Sequence, residues 1–328
     1  MGGFTFCCGD FVNMMDAKGT VTAEILDMIE EDPRVCYINS DSTVGRVAAA
    51  MKKYPDRVLD TGIQEMNMVT VAAGLAKEGY IPFVQTFGPF LCVRALDQIH
   101  NDVCYNDFPV RLIGTHAGLS SGYGPTHNTI IEFGIMNAMP NMTMVAPCDA
   151  NQAKKLLRAS LDYPGPIYIR IPRGEEPAVY ADDYDYKYEI GKAIELSEGK
   201  DLTIIATGMG VANSVTAARQ LQEEHGLDIG VIDMHTIKPI DKEAIIKAAQ
   251  QTGTIVTVED HNILGGLGSI VADVLMEAGV PARLKKIGVP DTFVEYGYPE
   301  ALYPHYGMDA AGIARTCLEF VGKYSFGA

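Results

Sequence analysis

The sequence is short of positive charge. It carries 26 Lys and Arg against 42 Asp and Glu, for a formal net charge of −16. Such a chain repels nucleic acid and anionic membranes, which argues against either as the main partner. An anionic small molecule stays possible, because a few local basic groups override the global field. No apolar run is long enough to cross a bilayer. The opening MGGFTFCCGD lacks a basic segment followed by a cleavable apolar one, so no secretory signal is expected. It also misses the myristoylation pattern, since Phe6 stands where Ser or Thr is required. Cysteines are few and odd in number, 7 in all, with Cys7 and Cys8 adjacent and no Cys-x-x-Cys. That argues against a disulfide framework or a zinc site and fits a reducing cytoplasm. Cys92, Cys104 and Cys148 sit in apolar surroundings and read as small core residues. A G-x-x-x-x-G-K-[ST] loop, a G-x-S-x-G elbow and a His/Cys/Asp cluster at metal spacing are all missing.

What is present is an alternation. Short β-rich runs at 35–41, 57–62, 81–87, 110–118, 142–149 and 166–173 alternate with helix-like stretches. One such stretch, IQEMNMVTVAAGLAKEG, ends on a glycine stop signal at Gly79. The pattern predicts an α/β fold with a mostly parallel sheet. Residues 174–200 are acidic and tyrosine-rich and read as a linker or crossing segment. A second α/β series follows, with runs at 201–208, 228–239, 252–260 and 283–291. The 328 residues therefore make two domains, each a mostly parallel sheet flanked by helices, with the second starting near residue 190.

The block from 60 to 173 carries the chemistry. Glu65 opens a helix directly after a strand, where its plain reading is a first-turn acid favoured by the helix dipole. Phe87 and Phe90 are close enough in TFGPF to form one aromatic wall, or ordinary core. THAGLSSGYGPTHN puts His116 and His127 on a glycine-rich loop leaving a strand, the edge at which parallel sheets bind ligands. Arg170 and Arg173 end another strand. Each is weak evidence alone, but together they favour a site for an anionic ligand. GGLGS at 265–269 is a structural turn or a weak phosphate loop.

At this block the chain resembles the transketolase family. The matching pieces include GIQEMNMVTVAAGLA (62–76), QTFGPF (85–90), RALDQIHNDV (94–103), THAGL (115–119), GPTHN (124–128), MPNMTMVAPCDANQ (139–152) and PIYIRIPRG (166–174). HTIKPID (235–241) and VEDHNILGGLGS (258–269) resemble the family's C-terminal domain. The resemblance implies an N-terminal extension over 1–15, a pyrimidine-binding domain over 16–188 and a C-terminal domain over 189–328. It implies thiamine diphosphate and Mg²⁺ as cofactors. The family's Gly-Asp-Gly and paired-Asn motif for diphosphate and metal is missing, since Gly9-Asp10-Phe11 is completed by nothing downstream. That implies a split enzyme whose N-terminal, diphosphate-binding subunit supplies the metal and diphosphate ligands, in an α2β2 heterotetramer.

By the resemblance, Glu65 hydrogen-bonds the pyrimidine so that the cofactor generates its own base, which requires Glu65 to hold or share a proton. Phe87 and Phe90 enclose the ring, and Asp41 lies near the cofactor. His127 contacts the donor's carbonyl region and moves protons. His116 and Arg173 hold the acidic end of the sugar. Tyr123 stands where the family commonly has an acid that reads a donor hydroxyl. Met15 stands for a phosphate-binding arginine, and Gly45 falls near a serine of the same pocket. The implied reaction moves a two-carbon ketol unit from a ketose to an aldose. These departures point to an unusual substrate: an acidic tail such as a sulfonate, as in 6-deoxy-6-sulfofructose, or a branched sugar. The rivals are the β subunit of a thiamine-dependent 2-oxoacid dehydrogenase, a fragment of a deoxyxylulose-phosphate synthase, and a non-catalytic scaffold subunit. The C-terminal domain is assigned to assembly, with His235 and His261 structural.

Overall fold

The computed structural model describes residues 11, 13–181 and 186–322. Cys7, Cys8 and most of the expected 1–15 extension lie outside the described residues, among which no helix is long and apolar enough to cross a membrane. The chain enters through a short strand, β1 (Met14–Asp16), and a helix over Ala17–Glu31. Asp16 caps that helix by accepting from the Gly19 N–H at 2.9 Å. Then come β2 (Val35–Asn39), β3 (Val58–Asp60), β4 (Ile81–Phe87), β5 (Arg111–Thr115), β6 (Thr143–Val145) and β7 (Ile167–Arg170). β2, β5, β6 and β7 are buried along their whole lengths, as strands covered by helices on both faces must be. The predicted helix forms over Glu65–Lys77, and the chain turns out of it through Gly79 at φ +94°.

Residues 174–200 are more than a linker. They contain β8 (Glu175–Pro177), which pairs antiparallel with β1, and β9 (Ile194–Ser197), which edges the second sheet. The second series supplies β10 (Leu202–Ala206), β11 (Ile229–Asp233), β12 (Thr236–Lys238), β13 (Thr254–Asn262) and β14 (Arg283–Val289). Its five-stranded sheet runs β14-β13-β10-β11-β9, antiparallel only at β9.

One strand crosses the expected boundary. β12 follows β11 in the chain but pairs antiparallel with β6, closing the seven-stranded sheet β12-β6-β7-β5-β4-β2-β3. The two halves therefore share a core. Met142, Met144 and Ala146 pack in one buried cluster with Ile205, Ile232, Met234 and Ile237. This joint brings β13 and the segment after β14 against the loop that follows β5.

Candidate active site

Glu65 is the first residue of its helix, yet its carboxylate caps none of that helix's N–H groups. It turns away and is 1% exposed. Oε1 accepts from Ser40 Oγ at 3.2 Å, and Oε2 accepts from Arg94 Nη1 at 2.7 Å. The first-turn acid of the plain reading is thus a buried carboxylate held from two sides. Asp60 braces the loops around it, accepting from the N–H groups of Asp41 at 3.0 Å and Gly62 at 2.9 Å and from the Thr43 hydroxyl. Asp41 itself is exposed, at φ +54°. Its neighbour Ser40 is the residue that reaches Glu65.

Arg94 belongs to a π-helical turn, Phe90–Arg94, which follows β4 directly, and such turns recur at functional sites. The turn aims Arg94 back at Glu65 with its guanidinium 4.3 Å from the Phe90 ring centre. Phe87 and Phe90 do form one wall, with centroids 5.5 Å apart and planes at 22°. Both histidines of the glycine-rich loop close on this wall. His116 lies 3.9 Å from Phe87, and His127 lies 5.5 Å from Phe87 and 5.3 Å from Phe90. Nδ1 of His127 shares a hydrogen bond with Thr126 Oγ1 at 2.9 Å, which leaves Nε2 to meet a ligand. His116 adopts φ +61°, an uncommon conformation for a side chain of this size. Burial, aided by the nearby charges of Lys18 and Arg173, pushes its pKa down to about 3. His116 is therefore a neutral hydrogen-bonding group and brings no charge of its own to an acidic ligand.

The positive charge comes from elsewhere. Arg173 donates from Nη2 to the Tyr123 hydroxyl at 2.9 Å and lies over the Tyr123 ring at 4.4 Å. Tyr123 in turn stacks on His116, at 5.7 Å and 20°. Lys18, from the first turn of the first helix, sits 5.9 Å from the Phe87 ring centre. Burial and then the charge of Arg173 lower its pKa, so an arriving anion relieves a crowded pair of cations. Sequence reasoning counted the arginine at Met15 as lost and overlooked this lysine one helical turn further on. Arg170, expected beside Arg173, does not face the site. It is 3% exposed, donates from Nε to Glu132 Oε1 at 2.5 Å and from Nη2 to the Asp260 carbonyl, and so locks β7 to β13.

GGLGS resolves to its structural reading. It opens the helix Leu267–Glu277, and that helix's N-terminus is already filled from within. Glu259 accepts from the N–H of Leu267 at 2.7 Å and of Gly268 at 2.9 Å, with burial pushing its carboxyl up to about 7. His261 is buried and accepts at Nε2 from the Phe133 N–H at 3.1 Å, and His235 packs at a tilt against Tyr188, centroids 4.3 Å apart. Both are buried and held by neighbouring protein groups.

The arrangement suits the ring end of a heteroaromatic cofactor. A buried carboxylate stands at the foot of an aromatic wall. A cavity of about 620 Å³ adjoins it, lined by Phe90, Val93, Arg94 and Asn128. Asn128 is 6% exposed, and neither its Oδ1 nor its Nδ2 has a partner, so its amide is ready to pair with a ligand. The glycine-rich turn that resembled a phosphate loop holds Glu259 instead.

Known proteins match along nearly the whole chain. Residues 13–177 match the transketolase pyrimidine binding domain, and residues 191–313 match the transketolase C-terminal domain. One of the subunits of the apulose-4-phosphate transketolase of Phocaeicola vulgatus is 39% identical over 316 residues, spanning 95% of this chain and 99% of that protein. The 6-deoxy-6-sulfo-D-fructose transketolase subunit of a Clostridium species is 36% identical over 314 residues, 94% of this chain and 95% of that one. A solved split-gene transketolase, described as an inactive β4 tetramer, superposes with a TM-score of 0.86 at 34% identity, covering 94% of this chain and 99% of that chain.

Proposed function

The chain belongs to the transketolase family, and on that premise we propose that it is the pyrimidine-binding subunit of a split, thiamine-diphosphate-dependent transketolase. The observation that carries the reading is Glu65, a buried carboxylate between Ser40 and Arg94 at the foot of the Phe87–Phe90 wall. Thiamine diphosphate supplies, when bound, the carbon that cleaves a ketose and carries its two-carbon unit. Glu65 would hold the ring nitrogen end and fix a proton there, with Ser40 and Arg94 orienting its carboxylate. Phe87 and Phe90 stack on the ring and exclude water. His127, with Nδ1 held by Thr126, moves a proton at the substrate's carbonyl end. His116, neutral and with Nδ1 donating to Thr115, lines the pocket with an uncharged ring, and Arg173 and Lys18 bind the acidic tail. Tyr123 lines the substrate region, and Asp41 stands at the cofactor's rim.

The diphosphate and Mg²⁺ ligands belong to an N-terminal partner subunit, and we assign residues 16–188 to the pyrimidine-binding domain and 189–328 to the C-terminal domain. The assembly is an α2β2 heterotetramer working in the cytoplasm. A β-only tetramer described as inactive supports the need for the partner. The substrate is an acidic-tailed ketose, phosphorylated or sulfonated. The names of the relatives, one a sugar phosphate and one a sulfo-sugar transketolase, support that class. They give no support to the 2-oxoacid dehydrogenase reading.

The test is an assay of the chain with and without its diphosphate-binding partner, with thiamine diphosphate and Mg²⁺ added. The donor panel holds apulose 4-phosphate, 6-deoxy-6-sulfofructose and xylulose 5-phosphate, with ribose 5-phosphate as one acceptor. Ketol transfer is expected only from the two-subunit mixture. Turnover by this chain alone would overturn the split. Full efficiency on xylulose 5-phosphate with ribose 5-phosphate would overturn the unusual-substrate part.

A further inference from the structure

The C-terminal half holds the substrate loop at its root and at its tip. At the root, Asp260 of β13 accepts from the Leu119 N–H at 2.9 Å through Oδ1 and from the Tyr303 hydroxyl at 2.6 Å through Oδ2. The carboxylate presses so closely that a Cβ on Gly118 would come within 1.9 Å of Oδ2. At the tip, two tyrosines from the segment after β14 sit on the two glycines that flank Tyr123. A Cβ on Gly122 would meet ring carbons of Tyr298 at 2.7 Å, and one on Gly124 would meet the Tyr296 ring at 2.9 Å. Tyr123 is thus gripped through its own backbone, while its side chain touches His116, His127 and Arg173. A cavity of about 410 Å³ lies between Tyr123 and Arg173 on one side and Tyr296, Tyr298 and Tyr303 on the other.

We propose that Tyr296 and Tyr298 are positioning residues for sugar selectivity: by seating their rings on Gly122 and Gly124 they fix Tyr123, and through it Arg173, against the far end of the substrate. The inference rests on the transketolase reading above and gives the C-terminal half a task besides assembly. Ordinary core packing is a poor account of these rings, since Tyr296 is 73% and Tyr298 65% exposed. What they share with the loop is shape, one ring per missing side chain. Glu65 and Phe87, assigned to the cofactor ring, and His127, assigned to the reacting end of the sugar, lie apart from the Gly122 and Gly124 contacts of these tyrosines. Loosening the clamp therefore acts first on Tyr123 and Arg173 at the tail, and reaches His127 only through its edge contact with Tyr123.

The experiment compares the assembled two-subunit enzyme with its Tyr296→Ala, Tyr298→Ala, Tyr298→Phe and Gly122→Ala forms. Two reactions are measured: an acidic-tailed ketose that the wild type uses, and β-hydroxypyruvate with glycolaldehyde, neither of which carries an acidic sugar tail. Each alanine form of the tyrosines is expected to raise KM for the tailed donor about tenfold, as a small misplacement of a binding group does, with kcat on β-hydroxypyruvate unchanged. Tyr298→Phe keeps the ring and is expected to match the wild type. Gly122→Ala is expected to raise KM in the wild type and to lose most of that effect in a Tyr298→Ala background, because the clash it creates is with that ring. Equal losses on both donors, or no change in KM, would overturn the proposal. Hydrogen exchange of the 117–124 amides in the unliganded chain supplies a second readout that needs no activity. Faster exchange in the two alanine forms supports the clamp, and unchanged exchange refutes it. If the wild-type complex turns over no ketose, the transketolase reading fails while the exchange result still judges the clamp.

Discussion

At the strand ends of the seven-stranded sheet, Ser40, Phe87, His116 and Arg173 gather around an open wall beside a 620 Å³ cavity. At the matching ends of the five-stranded sheet, Asp233, Glu259, Asp260 and His261 are at most 2% exposed. Each of these four is bonded inside the protein: Asp233 to Gln152 and Tyr180, Glu259 to a helix N-terminus, Asp260 to Leu119 and Tyr303, His261 to Phe133. Both sheets collect polar groups where parallel sheets place ligand sites. What separates them is the covering. The second sheet's edge docks on the first domain through β12 and the shared methionine-rich core, and its acids become fasteners. The first sheet's edge stays open: Ser40, Phe87 and Arg173 keep exposed surface in front of the buried Glu65 and His116.

The comparison predicts that changes at the first edge alter turnover and changes at the second alter stability. Replacing Glu65 by Gln in the assembled complex should lower kcat by about 10²–10⁴-fold, the range for a lost acid–base partner, with the melting temperature nearly unchanged. Steady-state ketol transfer and thermal unfolding, run side by side, check this; a full-speed variant would remove Glu65 from the chemistry. Replacing Glu132 by Ala strands Arg170 as an unpaired buried charge and should destabilise by about 3–5 kcal/mol, read from denaturant unfolding.

Asp233 gives a pH signature to the covered edge. Burial pushes its carboxyl from 3.8 up to about 7, so the folded state holds this proton more tightly than the unfolded one. Its contribution is complete below pH ~4 and is lost as pH rises toward 7, at no more than ~1.4 kcal/mol per pH unit. Asp233→Asn should remove that loss, leaving the variant more stable than the wild type at pH 8. Melting curves from pH 4.5 to 8 that stay parallel would break the argument. The smallest effect is expected at the rim of the open edge. Lys18→Met should raise KM for an acidic-tailed donor roughly tenfold, one charge-assisted contact's worth, and leave β-hydroxypyruvate turnover alone.

Much of this was readable before any coordinates. Strand runs, the helix from Glu65, and the pairing of Phe87 with Phe90 follow from local periodicity and spacing, because those are near-neighbour properties. The cationic pocket was read only in part. Arg173 was visible in PIYIRIPRG, but Arg170, three positions earlier, is buried and spent on Glu132. Lys18 went unnoticed because it lies 69 residues from Phe87 in sequence and the two meet only through the placing of the first helix on the sheet. Ser40 rather than Asp41 reaches Glu65 because Asp41 turns through φ +54°, which sends the two side chains apart.

The sequence by itself determined the kind of architecture, the identity of the carboxylate and aromatic groups, and the want of a diphosphate motif, since these depend on residue type and short spacing. Only the tertiary structure decided which polar groups remain open. Burial and hydrogen-bond satisfaction are set by long-range contacts: β12 pairing with β6 across the domain boundary, Asp260 reaching Leu119, and Tyr298 seated on Gly122. A carboxylate becomes a site or a fastener according to what the rest of the chain brings against it, and no local pattern encodes that.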